Sequence, residues 1–198
     1  RAIKRTRRSI CGAQKYGAWL HERGYDVYVG GVVAYSTLGW FKDPVLNTFI
    51  FDPEADLAET LFHELAHQRV FASGDTDFNE AFATTVGQEG ARRWLRAKGD
   101  QPALEKYLAE LRQTAQFARL IANTRERLET LYGNQRTEGA KIKATKKQRA
   151  VLREEWRQQK QALFDQLRQE YTQLKALWGG DTEYDKWFAR PLNNAQLN

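Results

Sequence analysis

Pro53-Glu54-Ala55-Asp56-Leu57-Ala58-Glu59-Thr60-Leu61-Phe62-His63-Glu64-Leu65-Ala66-His67 is the stretch on which the reading turns. Leu57, Leu61 and Leu65 recur every fourth residue, with Phe62 beside them, which is helical spacing. Asp52 is placed to cap this helix and Pro53 to open it, since proline lacks only an amide that the first turn leaves unpaired anyway. The helix gives His63 and His67 their meaning. Residues i and i+4 lie one turn apart on one face, so both imidazoles can reach a single ion. Glu64 lies about 100° further round. There it can stand beside an ion without ligating it and act as general base on a bound water. The chain has three His, and two of them are in this motif.

Two histidines leave a catalytic metal site one protein ligand short. Phe78-Asn79-Glu80-Ala81-Phe82-Ala83 offers Glu80, with twelve residues between it and His67. That length lets the first helix end near Ser73-Gly74-Asp75 and the chain turn. A second helix from about Asp77 to Ala97 then brings the carboxylate back, with Lys98-Gly99-Asp100 as its stop. Asp77 and Glu80 also have capping-box spacing, so Glu80 could instead bond the backbone at the helix start. Ligation is the reading adopted, because the site otherwise lacks a third ligand; Glu59, Asp75, Asp77 and Glu89 compete for the place. The expected cofactor is one zinc ion per chain.

Around this pair of helices the pattern changes. Residues 9 to 23 read as a short helix stopped by Gly24. Tyr25-Asp26-Val27-Tyr28-Val29 and Val32-Val33-Ala34-Tyr35-Ser36-Thr37 are β-rich runs interrupted by Gly30-Gly31, and Thr48-Phe49-Ile50-Phe51 is a third. Beyond residue 100, Leu104, Leu108, Leu111, Ala115, Ala118, Ile121, Leu128 and Leu131 form an apolar stripe that Gly133-Asn134 should break. Leu152, Trp156, Leu163, Leu167, Tyr171 and Leu174 resume it, and Gly179-Gly180 ends it. Two long helices joined by a polar loop predict an antiparallel hairpin. The expected fold class is α+β, mostly α: a small β-sheet from residues 25 to 51 packed on a two-helix zinc-binding core, with a long antiparallel helical hairpin. The expected division is 1–100 for the core, 101–178 for the hairpin and 179–198 for a C-terminal segment packing back on the core through Trp187 and Phe188.

Composition supports a folded protein. The chain has 198 residues, 41% of them apolar, with six Trp, eight Tyr and ten Phe. That is ample for a core and unlike a disordered chain. No run approaches the roughly 18 to 20 apolar residues of a membrane-spanning helix. The single cysteine, Cys11, cannot form an internal disulfide. The net charge of +6 is unevenly spread. Between residues 50 and 90, Asp52, Glu54, Asp56, Glu59, Glu64, Asp75, Asp77, Glu80 and Glu89 face Arg69 alone, which suits a metal cation and a substrate with a free ammonium group. Both the N-terminus and the segment containing Lys141, Lys143, Lys146, Lys147 and Arg149 are basic. Aromatic residues are not interleaved there as stacking on bases would require, so nucleic acid is not an expected partner.

Phe62-His63-Glu64-Leu65-Ala66-His67-Gln68 followed by Asn79-Glu80-Ala81-Phe82-Ala83 resembles the zinc site of gluzincin peptidases. Those enzymes take two His from one helix and a Glu from an Asn-Glu pair on the next. Gly24-Tyr25-Asp26-Val27-Tyr28 and Tyr35-Ser36-Thr37-Leu38-Gly39-Trp40-Phe41 carry a narrower resemblance, as do Tyr184, Trp187, Phe188 and Pro191-Leu192-Asn193-Asn194-Ala195. They are similar to a family of bacterial aminopeptidases known mainly from genome sequences. The resemblance implies a peptide substrate, zinc on His63, His67 and Glu80, and an aminopeptidase activity. It also implies a place in the bacterial cell envelope or periplasm, with membrane association through an N-terminal signal or lipid anchor. The chain starts at Arg1 and contains no Met, and the expectation is a trimmed piece. Position 84 is Thr where thermolysin-like enzymes carry an Asp that supports a metal histidine, so the partner that orients His63 or His67 stays open.

The chemistry expected of such a site is hydrolysis by a zinc-activated water, with Glu64 taking the proton and passing it to the leaving amine. An oxyanion donor is needed as well. Tyr184 and Tyr35 are the candidates, although a packed or rim tyrosine is the more ordinary role for each. Val32 to Thr37 could pair with a peptide as an edge strand, with Gly31 admitting its backbone closely. Asn193 and Asn194 could bind substrate or cap local backbone. Two alternatives remain: an endopeptidase with the same zinc chemistry, and a non-catalytic docking protein built on the helical hairpin. An acidic anchor for the substrate amine, drawn from Glu54, Glu59 or Asp77, would separate the aminopeptidase from the endopeptidase.

Overall fold

The computed structural model describes residues 10–30, 51–141, 145–180, 184–189 and 191–197. They form six α-helices, α1 (Ile10–His21), α2 (Glu54–Arg69), α3 (Thr76–Lys98), α4 (Gln101–Lys141), α5 (Lys146–Leu177) and α6 (Asp185–Phe188), and a closing 3-10 turn (Asn194–Leu197). The chain divides into two compact units, one of Gly30–Arg112 and one of Arg1–Val29 with Gln113–Asn198.

The expected α+β class is corrected. Among the described residues there is no strand and no sheet, so a small β-sheet on the two-helix core is not supported. The run Tyr25 to Val29 is irregular. It folds back on α1, where Gly17 leaves room: a Cβ there would sit 3.1 Å from a Val29 methyl and 3.3 Å from a Val27 methyl. The Val27 carbonyl accepts from the Asn193 side chain instead of a neighbouring strand. β-propensity mostly measures fit to a half-buried surface, and here a helix supplies that surface. Phe51 lies in a turn and is exposed. The runs Val32–Thr37 and Thr48–Ile50 lie outside the described residues.

In the unit Gly30–Arg112, α2 and α3 run antiparallel. Phe62 lies against Gly90 and His63 against Gly87, while His67 stands beside Glu80. The buried positions of α3 are Asn79, Ala83, Gly87, Ala91 and Leu95, a strict four-residue series on one face. Three of the five are Ala or Gly, so the backbones approach closely, with Cα atoms of the two helices within 8 Å of each other. A Cβ on Gly87 would lie 2.8 Å from the Glu59 carbonyl oxygen, and one on Gly90 would lie 2.6 Å from the Phe62 ring. Leu95 at the far end joins Ala91, Leu104 and Tyr107 in the unit's core, with Ala55, Ala58 and Trp94 against it. Helix α2 starts one residue later than the capping pattern predicts. Pro53 is the cap residue itself, with ψ of 144° and no side-chain bond. Gly99 closes α3 in the left-handed conformation at φ 73°, the geometry that favours glycine at this position.

In the other unit, α4 from Gln113 onward and α5 form the hairpin. Gln116 accepts from the Trp178 indole and Glu170 from Arg127, pairings that run in opposite directions along the two helices. Leu120, Leu128, Phe164, Leu167 and Tyr171 fill the seam with Phe188 and Leu197 from the C-terminal segment. Phe188 stacks on Tyr171 with centroids 4.2 Å apart. Asp185 latches that segment by accepting from Lys175 at 2.6 Å and Tyr171 at 2.7 Å. The expected break at Gly133-Asn134 does not occur, for α4 continues to Lys141. A mid-helix Gly costs only about 1 kcal/mol relative to Ala, and the apolar stripe before it together with the good helix formers Gln135, Arg136 and Glu138 after it offsets that cost. The turn comes later, where Thr145 and Gln148 form a full capping box at the start of α5.

Two glycines therefore predict opposite outcomes in thermal unfolding. Gly133 has open space around it, so Gly133→Ala is expected to stabilise by up to about 1 kcal/mol. Gly87→Ala forces α2 and α3 apart and is expected to destabilise by roughly 1–3 kcal/mol. The Asp185 latch predicts a pH effect. Hydrogen bonds from Lys175 and Tyr171 hold the Asp185 carboxyl below its ordinary value. Its contribution is therefore complete above the ordinary carboxylate range and is lost as pH falls through the lowered value. Asp185→Asn is expected to make thermal stability less sensitive to acid over that interval, read from melting curves at stepped pH.

Candidate metal centre

His63 and His67 project from the second half of α2, one turn apart, and Glu80 from the first half of α3. The His63 and His67 Nε2 atoms are 3.1 Å apart. The Glu80 Oε2 atom lies 3.5 Å from the first and 3.7 Å from the second. Among the described residues, His63, His67 and Glu80 are the group of donor side chains able to hold a metal ion.

The spacing can be tested against a real coordination sphere. Metal–ligand bonds of about 2.0–2.1 Å in a tetrahedron put neighbouring donor atoms about 3.3–3.4 Å apart. One side of the observed triangle, 3.1 Å, is slightly shorter than that edge and the other two, 3.5 and 3.7 Å, slightly longer. Two ring nitrogens and one carboxylate oxygen define three vertices and leave a fourth. His67 is buried, whereas the Glu80 side chain is 59% exposed, so the group sits at the surface end of the helix pair.

Several residues hold these donors in place. Asn79, which sequence reasoning passed over, is buried. Its Oδ1 accepts from the Ala72 amide and its Nδ2 donates to the Ala72 carbonyl, both at 2.8 Å. This two-point clip ties the α2–α3 connection to the first turn of α3 and sets where Glu80 begins its reach. The helix is capped by Asp75, whose side chain accepts from the Phe78 amide. With Asp75 as the cap, Asp77 and Glu80 both lie inside the helix, past the positions a capping box occupies. Gly87 faces the His63 Cβ, and a Cβ on it would come within 2.8 Å of the Glu59 carbonyl oxygen, closer than a side chain allows. The signal for this was present in the sequence as the series Asn79, Ala83, Gly87, Ala91, Leu95, but a small-residue stripe is legible only once its partner helix is known.

Glu64 is half-buried on α2 and has no hydrogen-bond or ion-pair partner among the described residues, which leaves its carboxylate uncommitted. Of the proposed anchors for a substrate amine, Glu54 pairs with Lys98, and Glu59 accepts from the Tyr107 hydroxyl at 2.6 Å. Gly31 and Tyr35 lie outside the described residues. Tyr184, Asn193 and Asn194 belong to the other unit. There Tyr184 stacks on Phe117 with centroids 4.0 Å apart and its hydroxyl meets that of Thr114. Asn193 donates to the Val27 carbonyl and accepts from the Ala195 amide. The Asn194 side-chain amide meets the Tyr132 hydroxyl, while its backbone amide donates to Asp26.

Two imidazoles and a carboxylate converging from neighbouring antiparallel helices define a helical protein with a three-ligand group that can hold a metal ion. Residues 10–198 match the family described as "Putative aminopeptidase", and the chain belongs to that family. No curated protein and no solved structure matches it.

Asn79→Ala removes both bonds of the clip and leaves the Ala72 groups to find other partners. It is expected to cost about 2 kcal/mol in unfolding free energy and to weaken metal binding as Glu80 loses its fixed starting point. Denaturant titration and metal competition on the same variant check the two effects.

Proposed function

We propose that this protein is a zinc-dependent aminopeptidase in which His63, His67 and Glu80 hold the metal and Glu64 is the general base. The observation that supports it most is the convergence of three donors from α2 and α3 at tetrahedral-edge spacing, in a chain belonging to an aminopeptidase family. An N, N, O donor set without thiolate suits zinc in a hydrolytic rather than a structural site. Bound zinc supplies Lewis acidity toward a carbonyl oxygen and lowers the pKa of a water to near 7.

The residues do the rest. His63 and His67 contribute neutral nitrogens and Glu80 one negative charge, so the site keeps net positive charge for an oxyanion to meet. Glu64, about 100° round α2 from His63, takes a proton from the attacking water and returns it to the leaving amine. The acidic stretch between residues 50 and 90 favours substrates that carry a free ammonium group.

Elemental analysis and peptide hydrolysis together test the reading. One zinc per chain in the wild type and its loss in Glu80→Ala are expected. Glu64→Gln should keep the metal and lose roughly 10²–10⁴-fold in turnover. Free peptides should be cleaved and their N-acetylated forms spared. Cleavage of both would favour an endopeptidase, and absence of zinc after reconstitution would refute the metal reading.

A further inference from the structure

The seam between α2 and α3 is lined on α3 by Ala83, Gly87 and Ala91, which let the helices approach, and Phe62 and His63 of α2 pack over Gly90 and Gly87. The rotation of α2 about its own axis decides where the His63 and His67 nitrogens point, because both leave the helix on the face turned to α3. A hydrogen bond is directional where packing is not, and one on this face would sharpen that rotation.

Tyr107, on α4 in the same unit, supplies one. Its ring is packed into the core with Ala91, Leu95 and Leu104 and is only 2% exposed. Its hydroxyl donates to Glu59 Oε2 at 2.6 Å. Glu59 stands one turn before His63 on the same face of α2. The Glu59 Cγ and the His63 Cβ both lie 3.3 Å from the point a Gly87 Cβ would occupy. The bond therefore acts on the helix face that carries the ligands. Burial, and then the hydrogen bond to Glu59, push the Tyr107 phenol well above its ordinary value, so it remains a donor at any pH at which the protein works.

We infer that Tyr107 and Glu59 are a positioning pair for the metal ligands: the buried hydroxyl, bonded to a carboxylate one turn before His63, sets the rotation of α2 at which both imidazoles face Glu80. The inference rests on the metal reading above. The pair holds a geometry, and the charge of Glu59 is incidental to it.

The test is zinc affinity by chelator competition, with the visible spectrum of the cobalt-substituted protein as a reporter of ligand geometry. Wild type, Tyr107→Phe and Glu59→Gln are compared. Tyr107→Phe is expected to weaken zinc roughly tenfold or more, the scale seen when a residue supporting a metal ligand is lost, and to change the cobalt spectrum while helicity by circular dichroism stays unchanged. Glu59→Gln keeps an oxygen that accepts the bond and is expected to bind zinc like the wild type. An unchanged affinity and spectrum in Tyr107→Phe would overturn the inference. Equal losses in both variants would also overturn it, by showing that the carboxylate acts through its charge. A wild type that binds no zinc would instead sink the metal reading itself, so the two failures are distinguishable.

Discussion

The close approach of α2 and α3 is the constraint on which the rest of this unit depends. Gly87 faces the backbone of α2 with no room for a methyl group, and Ala83 and Ala91, a turn to either side, are fully buried. A Leu at any of these three positions would push the helices to ordinary packing distance, about 8–10 Å between axes. The His63 and His67 nitrogens would then move away from the Glu80 carboxylate, which now stands 3.5 and 3.7 Å from them. Small residues contribute little burial themselves. The stability must come from elsewhere, and it does, from Leu95, Leu104 and Tyr107 beyond the end of the seam. Core and candidate site are thus separated along α3: packing at its C-terminal half, the donor Glu80 near its start.

The other unit is built on a different principle. Its seam is filled by large aromatic and aliphatic side chains, with Phe117 stacked on Tyr184 and Tyr171 on Phe188, the arrangement that contributes most burial per residue. The polar groups of the C-terminal segment are spent on holding it in place: Asp185 on Lys175 and Tyr171, Asn193 on Val27, Asn194 on Tyr132. A segment fixed by so many local bonds behaves as part of the hairpin's packing.

Much of the donor set was legible in the sequence because helical periodicity is a strong local signal. His63 and His67 needed only the spacing of Leu57, Leu61 and Leu65, whereas Glu80 was singled out by the need for a third donor and a turn of the right length, against Glu59, Asp75, Asp77 and Glu89. Gly99 and Gly179 announced helix ends, and both take positive φ there. What failed did so for tertiary reasons. Tyr25 to Val29 has the composition of a strand, but Gly17 on α1 offers it a surface to lie on. Gly133 looks like a breaker, but Leu128 and Leu131 just before it pack in the hairpin seam, and Gln135, Arg136 and Glu138 after it are good helix formers. Asn79 was invisible because its partner, the Ala72 backbone, becomes one only after α2 has ended at Arg69. Tyr107 was invisible because its partner Glu59 is 48 residues away.

The claim that α2 and α3 together form a zinc site is tested most directly by X-ray absorption at the zinc edge on the reconstituted protein. The account predicts a first shell of nitrogen and oxygen at about 2.0–2.2 Å, with the outer-shell scattering of two imidazoles and no sulfur. A sulfur at about 2.3 Å, which only Cys11 could supply within the chain, would contradict it. So would a shell with a single imidazole.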